Sequence, residues 1–161
     1  MGMTLVPCEE RHTDALAELL SEEAAAAYFS AAGLIDAAYV ERVITGRDAE
    51  CRLYAIADYV ISNDSGDAVY GRVTALPADD PCAAELSYIV ATAFAGCGIA
   101  TAAVRELLRR LSRLGLSRAE AKVAEWNTAS IAVLRKNMFI EKERSIHPVH
   151  GPVVLMVRPL G

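Results

Sequence analysis

The feature that most constrains this chain is the stretch from Ala84 to Leu111, which reads AELSYIV, then ATAFAGCGIA, then TAAVRELLRRL. The first segment alternates and is β-branched or aromatic at several positions, the pattern of a strand. The last spaces Ile99, Val104, Leu107, Leu108 and Leu111 at helical intervals. Between them lies Gly96-Cys97-Gly98. A strand that ends in a glycine-rich turn and feeds a helix is a ready-made anion site. Glycines let several backbone N–H groups converge, and the helix dipole adds partial positive charge. The same arrangement also serves as a plain turn, so the rest of the chain has to decide its meaning.

Read in order, Met3 to Cys8 is a short strand, and Thr13 caps a helix bearing Ala15, Leu16, Leu19 and Leu20. Glu22 to Ala32 is helix-prone, and Asp36 caps a further helix with Tyr39, Val40, Val43 and Ile44; Gly46 to Glu50 closes this helical third. Arg52 to Ile61 and Ala68 to Leu76 form a hairpin around Asn63-Asp64-Ser65-Gly66-Asp67. The central strand, turn and helix follow, with Gly115 placed to end the helix. Arg118 to Trp126 is another strand, and Asn127-Thr128 opens a helix through Ser130, Ile131, Val133 and Leu134. Phe139 to Ile146 and Val153 to Arg158 make a closing hairpin. This order predicts an α/β (α+β) single domain over residues 1–161, on one mixed sheet with helices on both faces. The unit from Ala84 to Trp126 is expected to be a parallel crossover.

Hydrophobic residues make up 53% of the 161, enough for a sizeable core, and no apolar run reaches the length of a membrane span. A soluble, cytoplasmic protein is expected. The cysteines (Cys8, Cys51, Cys82, Cys97) are scattered without a CxxC pair, as in reduced, mostly buried thiols rather than a disulfide framework or zinc site. His147 and His150 have no third ligand nearby, so no metal is expected. Up to Ala95 there are 5 basic and 16 acidic residues, −11; beyond it 11 basic and 5 acidic, +6. The polarity suggests an anionic ligand on the C-terminal half and a cationic one on the N-terminal half, although Arg105, Arg109, Arg110 and Arg113 also suit one solvated helix face. The overall acidity argues against nucleic-acid binding.

Two segments carry a resemblance. AELSYIVATAFAGCGIATAAV is similar to the acetyl-CoA-binding core of the GNAT N-acetyltransferases, with Gly98 and Ala100 in the last two positions of Gln/Arg-x-x-Gly-x-Gly/Ala. AKVAEWNTASIAVLRKNMF resembles A-x-V-x-x-x-N-x-x-S-x-x-x-L-x-x-x-G-F, with Ala121, Val123, Asn127, Ser130, Leu134 and Phe139 in place. Both lie at the right separation, and the closest likeness is to the Rim-type branch, which acetylates protein N-terminal amines. Ala95 replaces the usual Gln or Arg, and Met138 the usual Gly.

The resemblance implies a mixed, mostly antiparallel sheet of about seven strands and an acetyl-CoA cofactor, with CoA as product. Backbone N–H groups of Gly96, Cys97, Gly98, Ile99 and Ala100 would hold the pyrophosphate, helped by the Thr101 hydroxyl. The strands from Ala84 and Arg118 would splay, and the pantetheine arm would lie between them like an added strand. Arg105, Arg135 and Lys136 would be phosphate neighbours. A backbone N–H at Ile89 or Val90, freed by a bulge, would polarise the carbonyl. Glu85 would be the general base. Ser130 would give the leaving sulfur a proton in place of the family's tyrosine, whose position is Leu134; a first-turn serine serves equally to satisfy local backbone. Asn127 is expected to contact the cofactor or the strand end, Tyr88 to face either the core or the cleft, with the core favoured, and Cys97 to fill space.

The acceptor is then a small-molecule or peptide amine. It would enter past Glu22 to Leu34 and the loop at Asp79-Asp80, favouring a cation. The protein would act as a monomer or homodimer, without nucleic acid or membrane. The alternative is a catalytically silent acyl-CoA-binding sensor or interaction module. A nucleotide-binding domain has less support, since no Lys-Ser/Thr follows the glycines.

Overall fold

The computed structural model describes residues 2–21, 55–148 and 151–161. The helices expected within residues 22–50, the start of the strand expected from Arg52, the proposed acceptor segment Glu22–Leu34, Cys51 and His150 lie outside the described residues.

Seven strands form one sheet in the order β1-β2-β3-β4-β5-β7-β6. They are β1 (Thr4–Pro7), β2 (Ala57–Ser62), β3 (Val69–Pro77), β4 (Ala83–Val90), β5 (Arg118–Ala124), β6 (Ile140–His147) and β7 (Gly151–Pro159). The described helices are α1 (Thr13–Ser21), α2 (Ile99–Arg113) and α3 (Thr128–Lys136). Every pairing is antiparallel except β4 with β5. β4, α2 and β5 therefore make the expected parallel unit, inside a mostly antiparallel α+β sheet.

Both faces are covered. Neighbouring residues of a strand point to opposite faces. In β2, Val60 joins Leu16 and Leu19 of α1, while Ile61 joins the core around Val104, Leu107, Leu108 and Leu111 of α2. That core continues through Ala119, Ala121 and Val123 of β5 to Val154 and Met156 of β7. Each large side chain buried this way contributes about 1.5–3 kcal/mol, which anchors α2 to the sheet.

Three local expectations change. Thr13 does not cap α1: it is the first residue of the helix, and its hydroxyl donates to Glu10 O of the preceding 3-10 turn at 2.7 Å. The fifth strand ends at Ala124 rather than Trp126, because the chain turns there, with Asn127 N–H bonding Ala124 O at 2.9 Å. The second begins at Ala57. Gly115 does end α2. Its φ is +86°, its N–H bonds Ser112 O, and Leu116 N–H bonds Leu111 O, the paired bonds of a Schellman motif.

Candidate active site

The sheet opens between β4 and β5. The two pair only at Ala83–Arg118, Ala84–Ala119 and Glu85–Glu120. Beyond that, β4 stays with β3 as far as Val90, and β5 stays with β7 as far as Ala124. A gap therefore widens along one edge of each strand.

Backbone groups line it. Ala91 N–H donates to Tyr70 O at 2.8 Å, away from the gap. Alternation along β4 then turns the Ile89 N–H toward β3 and the N–H groups of Tyr88 and Val90 toward the gap. Of the two candidates for carbonyl polarisation, Val90 is the one so directed. The β3–β4 register is unbroken from Gly71–Val90 to Pro77–Ala84, so the splay and not a bulge frees this group. Gly71 permits the close approach: a Cβ there would collide with Ile89 O.

At the mouth of the gap a 3-10 turn, Thr92–Phe94, is held over β3 by the Tyr70 and Phe94 rings, 4.5 Å between centroids. Gly96 and Gly98 follow with φ of +75° and +78°, conformations that glycine adopts without strain. Nothing lies within 4 Å of where a Cβ would stand on either, so the backbone is open to a close-fitting ligand. The first bond into α2 is Ala102 N–H to Gly98 O at 3.0 Å. The N–H groups from Gly96 to Thr101 accordingly have no acceptor among the described residues. An exposed row of donors at a helix N-terminus suits a diphosphate. Ile99 offers only its backbone, since its side chain is buried in the core. Against the expectation of buried thiols, Cys97 and Cys82 are exposed; Cys97 fills no space, its Sγ standing 3.7 Å from Ala95 O at the surface of the turn.

Asn137 ties this turn to α3. It is buried, and its Nδ2 donates to Thr101 O at 3.1 Å and to Val133 O at 3.0 Å. Sequence reasoning passed over it; the signal available was an amide directly after a helix, beside the glycine-preferring site at Met138. On the other side of the gap, Asn127 caps α3 by accepting the Ser130 N–H at 3.2 Å. Tyr88 reaches from β4 to the same serine, its hydroxyl 2.7 Å from Ser130 Oγ and 3.1 Å from Ser130 O.

Over residues 3–140 the chain matches the family model of the acetyltransferase (GNAT) domain. The chain belongs to the GNAT acetyltransferase family. Membership makes it an acyltransferase that uses acetyl-CoA, and the open donor row and the gap fit that cofactor. No curated protein matches it. Among solved structures it is similar to RimL, a ribosomal-protein alpha-N-acetyltransferase in complex with coenzyme A (21% identity, 99% of this chain and 95% of that one, TM-score 0.81). It is also similar to the aminoglycoside acetyltransferase AAC(6')-Ib with coenzyme A (20% identity, 98% and 95%, TM-score 0.80). A third is the spermidine N-acetyltransferase of Vibrio cholerae with CoA and spermine (15% identity, 98% and 95%, TM-score 0.80). At these identities the likeness is one of fold.

In this GNAT domain the expected residues divide between the two sides of the sheet. Tyr88 packs against the α2-side core, so Glu85, an odd number of residues away, lies on the opposite face. Glu85 is half exposed, with Lys122 Nζ 3.7 Å from its Oε2. So exposed a pair adds little to stability. Leu134, at the position where the resemblance implies a tyrosine, is fully buried and offers no acid. Arg135 pairs with Glu141 at 3.3 Å, while Arg105 and Lys136 have no ion pair among the described residues. A groove of about 460 Å³ beside α3 is a separate feature, lined by Glu125, Arg135, Glu141 and Arg144. Its charges pair with one another, as in Arg144–Glu125 at 2.6 Å. No cluster of metal-ligating side chains occurs among the described residues.

Proposed function

We propose that this GNAT enzyme transfers the acetyl group of acetyl-CoA to a primary amine, either a peptide N-terminus or a small cationic amine, by direct attack in a ternary complex. The observation that carries this reading is the β4–β5 gap with a row of unsatisfied N–H groups at its mouth. The amides of Gly96 to Thr101 hold the diphosphate, which compensates for the uncharged Ala95. Lys136 and Arg105 add positive charge along the helices. The Val90 N–H steadies the developing oxyanion. Glu85, half exposed on the sheet face opposite the α2-side core, takes the ammonium proton directly or through a water. Similar folds in acetyltransferases of ribosomal protein, aminoglycoside and spermidine support an amine as acceptor. The acidic N-terminal half, −11 up to Ala95, favours a cationic one.

The test is release of free CoA thiol from acetyl-CoA with spermine, kanamycin and an N-terminal peptide as acceptors. At least one should be turned over. Glu85→Gln should then lower kcat by about 100-fold, the lower end for general acid–base catalysis, while acetyl-CoA binding persists. Turnover unchanged at saturating amine would remove Glu85 from the role. Binding of acetyl-CoA without thiol release for any amine would favour the silent acyl-CoA-binding module.

A further inference from the structure

Tyr88 and Ser130 are 42 residues apart, and their hydroxyls meet at 2.7 Å across the gap. We propose that they act as a two-hydroxyl proton relay to the departing CoA sulfur, with Ser130 the donor in contact and Tyr88 the positioning residue that refills it. This inference rests on the acetyl-CoA reading above.

The chemistry begins with what a lone serine cannot do. An aliphatic hydroxyl is a much weaker acid than a thiol and does not surrender its proton to a thiolate unaided. A phenol is a far stronger acid, close to the thiol range. Placed behind the serine, it makes the transfer feasible. The Tyr88 oxygen also lies 3.1 Å from Ser130 O, so two arrangements are open to it. With its proton on Ser130 O, Tyr88 accepts the serine proton and the pair is closed. With its proton on Ser130 Oγ, the serine hydroxyl is released to point into the gap. The switch is a single rotation about the phenol C–O bond.

The transfer balances. Glu85 or water takes the amine proton as the N–C bond forms. Ser130 gives its proton to sulfur as the C–S bond breaks, with the electron pair on sulfur, and Tyr88 gives its proton to Ser130. Solvent returns a proton to Tyr88. Nothing is oxidised or reduced.

Among the described residues, the surroundings leave this task to the pair. The first turns of α2 (Ile99 to Ala102) and α3 (Thr128 to Ile131) contain no charged residue. Glu85, Glu120 and Lys122 stand on the opposite face of the sheet. Glu125, in the turn before α3, is bound by Arg144. Leu134 is buried. Among the described residues, Cys97, in the glycine turn, is the remaining titratable neighbour of the gap.

The decisive experiment titrates the thiol of bound CoA. Thiolate absorbance is followed against pH, with the protein bound to desulfo-CoA as the blank, and no acceptor is needed. Hydrogen bonds to the thiolate should bring its midpoint below that of free CoA. Tyr88→Phe keeps the ring in the core and removes one oxygen. It and Ser130→Ala should each raise the midpoint by about one pH unit, and the double variant should rise little further. Equal midpoints in wild type and Tyr88→Phe overturn the relay while leaving acetyl-CoA binding intact. Absence of CoA binding by the wild type overturns the cofactor reading and the relay together. If Tyr88→Phe fails to fold, Ser130→Ala decides by the same midpoint.

Discussion

His12 lies in the turn before α1, 3% exposed, with Nδ1 accepting the Glu9 N–H at 3.0 Å. Its Nε2 is enclosed and has no hydrogen-bond partner. A neutral ring suits this site: a second proton would displace the Glu9 bond and place a charge in the interior. Burial, with Arg11 nearby, accordingly lowers its pKa from the ordinary 6.5. The unfolded chain binds a proton near 6.5 and the folded chain only below that, so the contribution to stability is complete above 6.5 and is lost as pH falls. Stability should therefore fall as the pH is lowered from 7.5 to 5.5. Urea unfolding at the two pH values measures it, and His12→Asn, which keeps an acceptor near Nδ1, should remove that part of the difference. A similar contrast separates what residues reveal in sequence from what they withhold. The sequence left Tyr88 facing either the core or the cleft, with packing favoured on residue type, and the ring does pack against the core. Its hydroxyl meets Ser130 through a tertiary contact that no local pattern encodes. Ser130 was singled out as a donor, but whatever would make it acidic depends on that contact.

At the scale of elements, α3 ends in the same pair of bonds as α2, with Met138 where α2 has Gly115. Met138 N–H bonds Arg135 O at 3.0 Å, Phe139 N–H bonds Leu134 O at 3.1 Å, and Met138 has φ of +67°. The side chain is 72% exposed, so it gains little by packing. A left-handed conformation costs an L residue roughly 1–2 kcal/mol, which glycine avoids. Met138→Gly should therefore stabilise the protein by about 1 kcal/mol, read as a higher urea midpoint at unchanged slope. The sequence identified this position as unusual; only the dihedral shows that the helix stop survived the substitution. Elements with strong periodicity, such as α2 and β4, were legible nearly to the residue. The Thr13 cap was not, because an ST-type bond to the preceding turn competes with capping. The resemblance implied a freed N–H at Ile89 or Val90 without choosing between them and assigned it to a bulge; splay follows instead from which neighbour each strand keeps, a property of the whole sheet.

For the whole molecule, the first quantity to measure is the response to cofactor. Acetyl-CoA at about 100 times its Kd should add about 2.7 kcal/mol, a rise in Tm of roughly 5–10 °C for a domain of this size. No rise at millimolar acetyl-CoA would mean that Ala95 has cost the donor row its ligand. One mixed sheet with both faces covered followed from the succession of elements; the strand order β1-β2-β3-β4-β5-β7-β6 is visible only in the structure. The acceptor did not, because its surroundings depend on segments without a readable motif. The gap has one more implication. Three residue pairs are all that join β1–β4 to β5–β7–β6 within the sheet. A chain severed after Gly115, an exposed turn residue, would give one fragment bearing the glycine turn and Tyr88 and another bearing Ser130. Each would retain its own antiparallel ladder. Neither fragment alone would have both banks of the cleft, so CoA would act as the clasp between them, and their reunion would report its concentration.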